Sequence, residues 1–256
     1  MDEKKQWDAA AGDFQRVFEG GLNDYNLALL RFWQERGMIR PGCRVIDVGC
    51  GVGKYGVMLA GLGCEVVLTD ISGEMLRRAA ENMARFRTPW AVREADFGAL
   101  SVEDPLFAAG FDLAISTMSP AVHDAATVRK MSALSRGWCF LARFNSWEQP
   151  VRDALLRRIG LAPVRRTDEL SADRDAILRA VGDAGFEAQT AQVPYCWSDA
   201  RSPREMADYL CRRCMTEAER ERLYDAALAA AGALAGEDGL VRDAVNTAVT
   251  WIWWKA

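Results

Sequence analysis

The chain has 256 residues, 50% of them hydrophobic, and is long enough to bury one substantial core. Its formal net charge is −4, with 36 acidic and 32 basic side chains mixed along the sequence, so it lacks the basic face that a nucleic-acid partner requires. No apolar run approaches the roughly 20 residues that cross a bilayer, and residues 1–6 are charged where a signal peptide would be hydrophobic, which predicts a cytoplasmic protein without a membrane partner.

The order of predicted elements is that of an α/β fold. Residues 1–40 are typical of helices, and from about Arg44 short β-like segments alternate with helical patterns, which predicts a parallel sheet with helices on both faces. The helix after the second strand begins at Ser72, a good N-cap, and Gly137 is the predicted end of a later helix. We expect seven strands, at residues 44–48, 64–69, 90–94, 111–116, 138–144, 186–193 and 245–254.

Residues 197–243 interrupt the alternation and predict a helical insertion. Ser202 and Thr216 each begin a capping box, with glutamate three residues later, so we expect two helices there. The aromatic run 251–254 in the last strand is interpreted as core rather than as a ligand platform.

Seven cysteines are scattered along the chain, several of them in apolar, strand-like segments. This distribution is typical of reduced, buried thiols. Cys211 and Cys214 lie at helical spacing, which could bind a soft metal or change redox state. Because the sequence holds no second such pair, packing is favoured and no metal site is predicted.

The most informative segment is a buried strand, residues 45–48, that leads into Gly49, Gly51 and Gly53 and then a helix. Glycines let a backbone approach a ligand closely and take positive φ, and the helix start offers free N–H groups. With Gly56 the segment also satisfies the G-x-G-x-x-G pattern of dinucleotide-binding oxidoreductases, so the glycines alone do not decide the ligand.

Acidic residues at three successive strand ends narrow the choice. Asp47 would repel a diphosphate but pair with the ammonium of an amino-acid moiety, Asp70 is placed to accept hydrogen bonds from ribose hydroxyls, and Asp96 could accept from an adenine amino group beside Phe97. Together they favour a nucleoside with an amino-acid tail over NAD.

In the order of these segments, residues 40–195 and the last strand resemble the class I S-adenosylmethionine-dependent methyltransferases. The resemblance implies a doubly wound, Rossmann-like seven-stranded sheet whose last strand is antiparallel. It also implies S-adenosylmethionine as cofactor and S-adenosylhomocysteine as product. The residues that it assigns to the cofactor are Asp47, Gly49, Cys50, Gly51, Gly53, Asp70, Ile71, Met75, Asp96, Phe97 and Ser116, with Cys50 as a small filler of the loop.

In that family the end of the fourth strand faces the reactive sulfonium, so substrate contacts are expected within residues 116–124. The family's amino-group methylases of bases often carry Asn/Asp-Pro-Pro-aromatic here, and the departure at Met118-Ser119-Pro120-Ala121 argues further against nucleic acid. His123, the only histidine, is the candidate general base, with local packing as the alternative. The substrate side is assigned to Tyr55, Met118, Ser119, Pro120, Asp124 and Arg143.

The predicted function is methyl transfer to a small molecule by a single domain. That domain comprises a helical amino-terminal lid (1–40) with Trp7, Phe14 and Tyr25 as candidates to close the site, a core (41–196), the helical insertion (197–243) and the final strand (244–256). The alternatives are an NAD(P)-dependent oxidoreductase and a non-catalytic S-adenosylmethionine-binding regulatory module. The acceptor atom and the oligomeric state are left open.

Overall fold

A computed structural model describes residues 3–163, 167–212 and 216–256. Seven strands and nine α-helices lie in this part of the chain. The strands are β1 (Arg44–Val48), β2 (Glu65–Asp70), β3 (Trp90–Glu94), β4 (Phe111–Thr117), β5 (Ser135–Glu148), β6 (Gln189–Arg201) and β7 (Val241–Lys255). The helices are α1 (Glu3–Glu19), α2 (Asp24–Glu35), α3 (Lys54–Gly61), α4 (Gly73–Met83), α5 (Ala125–Leu134), α6 (Pro150–Arg158), α7 (Thr167–Asp183), α8 (Pro203–Cys211) and α9 (Glu217–Gly232).

The strands form one sheet in the order β3-β2-β1-β4-β5-β7-β6. Strand β1 pairs in parallel with both β2 and β4, and the parallel pairing continues to β3 on one side and β5 on the other. The sheet is mixed, with the last strand antiparallel, which confirms the predicted Rossmann-like fold. The strand order reverses between β1 and β4, and ligands of such sheets bind outside the carboxyl ends of the strands at that point.

The described residues fall into two compact units. The first comprises residues 1–143, 172–193 and 250–256. One of its cores packs α5 and α7 against the sheet, and Trp254, which is buried there, donates from its indole nitrogen to Ser132 Oγ at 2.9 Å. Trp251 and Trp253 are buried as well, so the prediction that this aromatic run is core is confirmed.

The second unit comprises residues 144–171 and 194–249 and packs α6, α8 and α9 around its own apolar core. Asp243 is fully buried in this unit, and its carboxylate accepts hydrogen bonds from the backbone N–H groups of Val151 and Arg152, both at 3.2 Å. These donors belong to the first turn of α6, where N–H groups have no partner within the helix. Asp243 therefore caps a helix. No helix in the described residues is both long enough and apolar enough to span a bilayer.

Several predicted boundaries were wrong. Residues 197–201 continue β6 rather than starting the insertion, and residues 241–243 already belong to β7. The two helices predicted between them are present, and the Ser202 capping box is confirmed by reciprocal hydrogen bonds with Glu205. Of the predicted thiol pair, Cys211 is buried, whereas Cys214 lies outside the described residues.

Gly137 does not end a helix: α5 ends at Leu134 and Gly137 lies inside β5. A Cβ at this position would lie 2.5 Å from the backbone oxygen of Asp112 on the neighbouring strand. The glycine is therefore required by the close approach of two backbones, which sequence periodicity does not reveal.

We expect Gly137→Ala to lower the free energy of unfolding by about 1–3 kcal/mol, because the new methyl group meets backbone that cannot move aside. The matched control is Gly182→Ala in α7, where a Cβ meets nothing within 4 Å. There alanine should stabilise by about 0.4–1 kcal/mol. Urea unfolding of the two variants measures both changes, and equal effects would contradict the assignment of Gly137.

Candidate active site

A cavity of about 350 Å³ lies within the first unit, at the carboxyl ends of β1, β2 and β4. Its wall is formed by the loops that follow these strands, the segment after β3, and residues of α1 and α4. The lining residues are Glu3, Trp7, Phe14, Gly49, Gly51, Thr69, Asp70, Ile71, Met75, Ala95, Asp96, Phe97, Met118, Ser119, Pro120, Ala121 and His123. A volume of this size suits one organic ligand.

The glycine turn brings backbone to the cavity. Gly49, Gly51 and Gly53 have φ values of +69°, +54° and +80°, in the left-handed region that side chains disfavour. At Gly49 there is a second reason for glycine, since a Cβ would lie 1.8 Å from the Oγ of Ser119. The turn after β1 and the segment after β4 are thus in direct contact, and only glycine at position 49 permits it.

Asp70 ends β2 and holds the turn in place. Its carboxylate accepts hydrogen bonds from the backbone N–H of Gly51 at 2.8 Å and of Ser72 at 2.9 Å. Burial raises the pKa of Asp70, and these two backbone N–H donors oppose the rise. The residue therefore orders the turn while facing the cavity.

Asp47 is the most unusual group at this site. Its side chain is fully buried, and neither carboxylate oxygen has a hydrogen-bond partner within the described residues. Burial, with a smaller contribution from the charge of Asp70, raises the pKa of Asp47 to about 8. A buried unpaired carboxyl group costs folding free energy, and groups of this kind cluster at functional sites. It suits a ligand that brings a positive charge, such as an ammonium.

The opposite part of the cavity is apolar with one exposed acid. Met75 and Phe97 are buried and line the wall beside Ile71, which gives a flat apolar ligand two faces to contact. Asp96 is exposed, and its Oδ1 accepts from the backbone N–H of Gly98 at 2.8 Å. Its second carboxylate oxygen is available to a polar edge of such a ligand.

Helix α1 covers one side of the cavity with Glu3, Trp7 and Phe14. It is attached by polar contacts: the Asp8 carboxylate accepts from Ser72 Oγ at 2.5 Å and from the backbone N–H of Glu74 at 3.2 Å. An ion pair between Lys4 and Glu94 adds a second attachment. Two of the predicted closing residues, Trp7 and Phe14, are therefore at the cavity. The third, Tyr25, instead accepts from the indole nitrogen of Trp251 at 3.0 Å.

The segment after β4 supplies the remaining wall. Met118 has φ +56°, the only positive φ among the non-glycine residues that the structure describes. The His123 side chain is 62% exposed, and its Nδ1 lies 3.2 Å from the Pro120 carbonyl oxygen. Met118, Ser119 and His123 therefore lie in the segment where contacts with the acceptor were expected.

The remaining predicted site residues do not line the cavity. Asp47 lies in β1 just before the glycine turn, Cys50 and Gly53 lie in the turn but outside the lining, and Ser116 is buried within β4 with no partner for its Oγ among the described residues. The other three residues, Tyr55, Asp124 and Arg143, were predicted to contact the substrate but lie outside the cavity lining.

These three residues have structural contacts instead. Tyr55 is buried and packs against Trp33, with ring centroids 6.4 Å apart. Asp124 caps α5 by accepting from the Thr127 backbone N–H at 2.8 Å. The buried Arg143 donates to backbone carbonyls rather than facing the cavity, because strand β5 directs it under the β4 loop.

Sequence reasoning missed Glu3, Thr69 and Ala95 in the lining, and Asp8 in the attachment of α1. Thr69 and Ala95 adjoin predicted residues and could have been found from strand ends alone. Nothing in the sequence links Asp8 to Ser72, because they are 64 positions apart.

The glycine turn after β1, the acid ending β2 and the strand order with its final antiparallel strand define the class I S-adenosylmethionine-dependent methyltransferase fold. Residues 45–137 match the family model of the methyltransferase domain. This part of the chain is therefore similar to a methyltransferase domain.

Relatives in sequence match about a third of the chain. A ubiquinone biosynthesis O-methyltransferase of Xanthomonas campestris is 31% identical over 91 residues, which cover 36% of this chain and 32% of the relative. An uncharacterized protein of Mycobacterium tuberculosis is 38% identical over 80 residues, covering 31% and 28% of the two chains. The chain thus matches about a third of the length of these relatives.

Similar solved structures support the fold over a longer part of the chain. Phosphoethanolamine N-methyltransferase 2 of Haemonchus contortus, in complex with S-adenosylmethionine, has a TM-score of 0.52 at 16% identity and covers 97% of this chain and 57% of its own. Precorrin 8w decarboxylase of Methanobacterium thermoautotrophicum has a TM-score of 0.52 at 13% identity and covers 92% of both chains.

The raised pKa of Asp47 predicts how stability depends on pH. Between about pH 4 and pH 8 the folded protein keeps this carboxyl protonated while the unfolded chain ionises it, so its contribution to the free energy of unfolding falls as pH rises. The slope is at most about 1.4 kcal/mol per pH unit. Asp47→Asn removes it, so the variant should gain stability relative to wild type steadily from pH 4 to pH 8.

Urea unfolding across this pH range measures the difference. Glu103→Gln, at an exposed carboxylate, is the control and should follow the wild-type curve. Parallel curves for wild type and Asp47→Asn would show that Asp47 is ionised in the folded protein.

Proposed function

We propose that this protein transfers a methyl group from S-adenosylmethionine to a small-molecule acceptor. The observation that carries the proposal is the buried, unpartnered carboxyl of Asp47 behind a glycine turn that Asp70 holds. An ammonium group arriving there would compensate the buried carboxylate. The diphosphate of NAD would instead meet two acidic side chains.

The proposed roles of the cofactor residues follow from their places. Asp47 in β1 and the turn with Gly49, Cys50, Gly51 and Gly53 would hold the methionine end. Asp70 would meet the ribose, and the adenine would lie beside Ile71, Met75 and Phe97, with its amino group toward Asp96. Ser116, buried at the end of β4, would support this wall from behind.

The bound cofactor would supply an activated methyl group on a sulfonium, and transfer then requires mainly in-line alignment of an acceptor. The residues proposed to align it are Met118, Ser119 and Pro120, which line the cavity after β4. Their wall is closed by Trp7 and Phe14 of α1, which would exclude water.

The character of the lining supports a small acceptor that carries no net negative charge. Its charged side chains, within the described residues, are the acids Glu3, Asp70 and Asp96, with no lysine or arginine. An anionic acceptor would find no counter-charge, and a nucleic acid would be repelled. The methyltransferases named above act, by their names, on phosphoethanolamine and in ubiquinone biosynthesis, which agrees with a small molecule as acceptor.

Calorimetric titration with S-adenosylmethionine, S-adenosylhomocysteine and NAD tests the cofactor. We expect micromolar dissociation constants for the first two, a loss of at least about 100-fold in Asp70→Ala because the turn loses its support, and no binding of NAD. Asp225→Ala, at an exposed acid of α9, is the control and should bind normally.

The same titration separates the alternatives. At pH 6.5, binding should release close to one proton, because the protonated Asp47 ionises against the ligand's ammonium, and Asp47→Asn should release none. Binding of NAD alone would establish the oxidoreductase. The regulatory module would be favoured if S-adenosylmethionine and S-adenosylhomocysteine both bind but no S-adenosylhomocysteine is formed with any compound of a broad acceptor panel.

His123 is the proposed general base, since it is exposed at the cavity and an imidazole nitrogen can accept a proton from an acceptor. With an acceptor found in that panel, His123→Gln should lower kcat by about 10²-fold or more while the affinity for S-adenosylhomocysteine stays unchanged. Turnover equal to wild type would mean that alignment alone suffices and that His123 has only a local packing role.

A further inference from the structure

The segment that follows β4, residues 118–123, is called here the acceptor segment; its residues Met118, Ser119, Pro120, Ala121 and His123 line the cavity. Beneath it lies a buried cation that the proposed chemistry does not use. Arg143, near the middle of β5, has a side chain only 6% exposed. A charged group buried at this position needs a structural explanation.

The guanidinium of Arg143 reaches both ends of the acceptor segment. Nη2 donates to the Val122 carbonyl at 2.6 Å, and Nη1 donates to the carbonyls of Ala142 at 3.0 Å and Ser116 at 3.4 Å. Nε lies 3.6 Å from a carboxylate oxygen of Asp173, which balances the charge. One rigid fork therefore ties the strand before the segment to the segment's far end.

Between these two attachment points the backbone is strained. Met118 has φ +56°, a conformation that a long side chain adopts only when its surroundings impose it. Its N–H donates to the Ala142 carbonyl at 3.0 Å, the same oxygen that accepts from Arg143. The strained residue and the buried cation therefore share one acceptor.

The strained geometry also places Ser119 against the glycine turn. The Oγ of Ser119 occupies the space that a Cβ at Gly49 would need, so a small shift of the segment would break this fit. The acceptor segment is thus held on three sides: by Arg143 from below, by Gly49 from the cofactor side, and by the β4–β5 pairing at Thr117 and Ala142.

We propose that Arg143 is a positioning residue, which holds the acceptor segment in its strained conformation and thereby fixes the wall that an acceptor would contact. It acts through Met118 and Ser119 and touches no reactant. What the wall does chemically rests on the proposed function, whereas the placement of the segment does not.

Amide hydrogen exchange of the acceptor segment tests the proposal without an acceptor. Arg143→Lys keeps the charge but loses the fork, and we expect exchange to become at least about 10-fold faster at the N–H groups of Met118 and His123, which donate to the Ala142 carbonyl and to Thr127 Oγ1. Arg129→Lys is the matched control: Arg129 also donates to a backbone carbonyl, that of Asp183 at 2.9 Å, and its loss should leave the segment unchanged.

A rescue variant distinguishes positioning from simple core filling. Asparagine adopts positive φ more readily than methionine. Met118→Asn therefore lowers the backbone strain of the conformation that Arg143 holds in place. The double variant Arg143→Lys with Met118→Asn should therefore recover at least half of the lost protection. Exchange as fast as in Arg143→Lys alone, or no acceleration in that single variant, would overturn the proposal.

If Arg143→Lys fails to fold, Asp173→Asn provides a second route, because it leaves the arginine in place and removes only its counter-charge. It should accelerate exchange at the same two amides by about 2- to 5-fold, and an unchanged segment would overturn the proposal. Failure of the proposed function would look different: S-adenosylhomocysteine would not bind to wild type, while the exchange pattern could still be as expected.

Discussion

The parallel pairing of β1 with both β2 and β4 is the constraint on which the site depends. Parallel neighbours have their carboxyl ends on one edge, so Asp47, Asp70 and the acceptor segment come together although the sequence separates them widely. The reversal of strand order beside β1 then leaves a crevice at that edge. The loops after these three strands supply much of the cavity lining, and α1, α4 and the segment after β3 supply the rest.

Asp47 shows what the arrangement costs. Placing a carboxyl group in a buried strand with no partner among the described residues costs folding free energy, and the neighbouring charge of Asp70 adds to the loss. Because its pKa is raised, Asp47 is mainly protonated near neutral pH, and a positive charge placed beside it would favour the ionised form. A carboxyl group that destabilises the free protein, and that a cationic ligand would stabilise, is expected of a residue that binds a ligand.

The sequence predicted the sheet, the glycine turn and the acidic strand ends, because each has a local signature: apolar runs, glycines and side chains at fixed offsets. It predicted poorly wherever a long-range contact decides the outcome. Gly137 resembles a helix stop but is required by the backbone of Asp112 on the next strand. Arginine is a residue type that often binds substrates, but on β5 the side chain of Arg143 is directed toward backbone carbonyl groups. Asp8 and Ser72 meet only because α1 packs on the start of α4.

The carboxyl-terminal part of β7 belongs to the first unit, which has a consequence for how the protein is made. Residues 250–256 complete that unit, and their tryptophans fill space between elements as distant in sequence as Tyr25 and Ser132. During synthesis the chain emerges from its amino terminus, so the cofactor turn and the strands around it leave the ribosome long before their last neighbour does. Until β7 arrives, the apolar surface that Trp251 and Trp254 will cover is open to water. The first unit therefore gains its full core only after β7 has been synthesised, and a nascent chain is most exposed to aggregation and to chaperone binding in that interval.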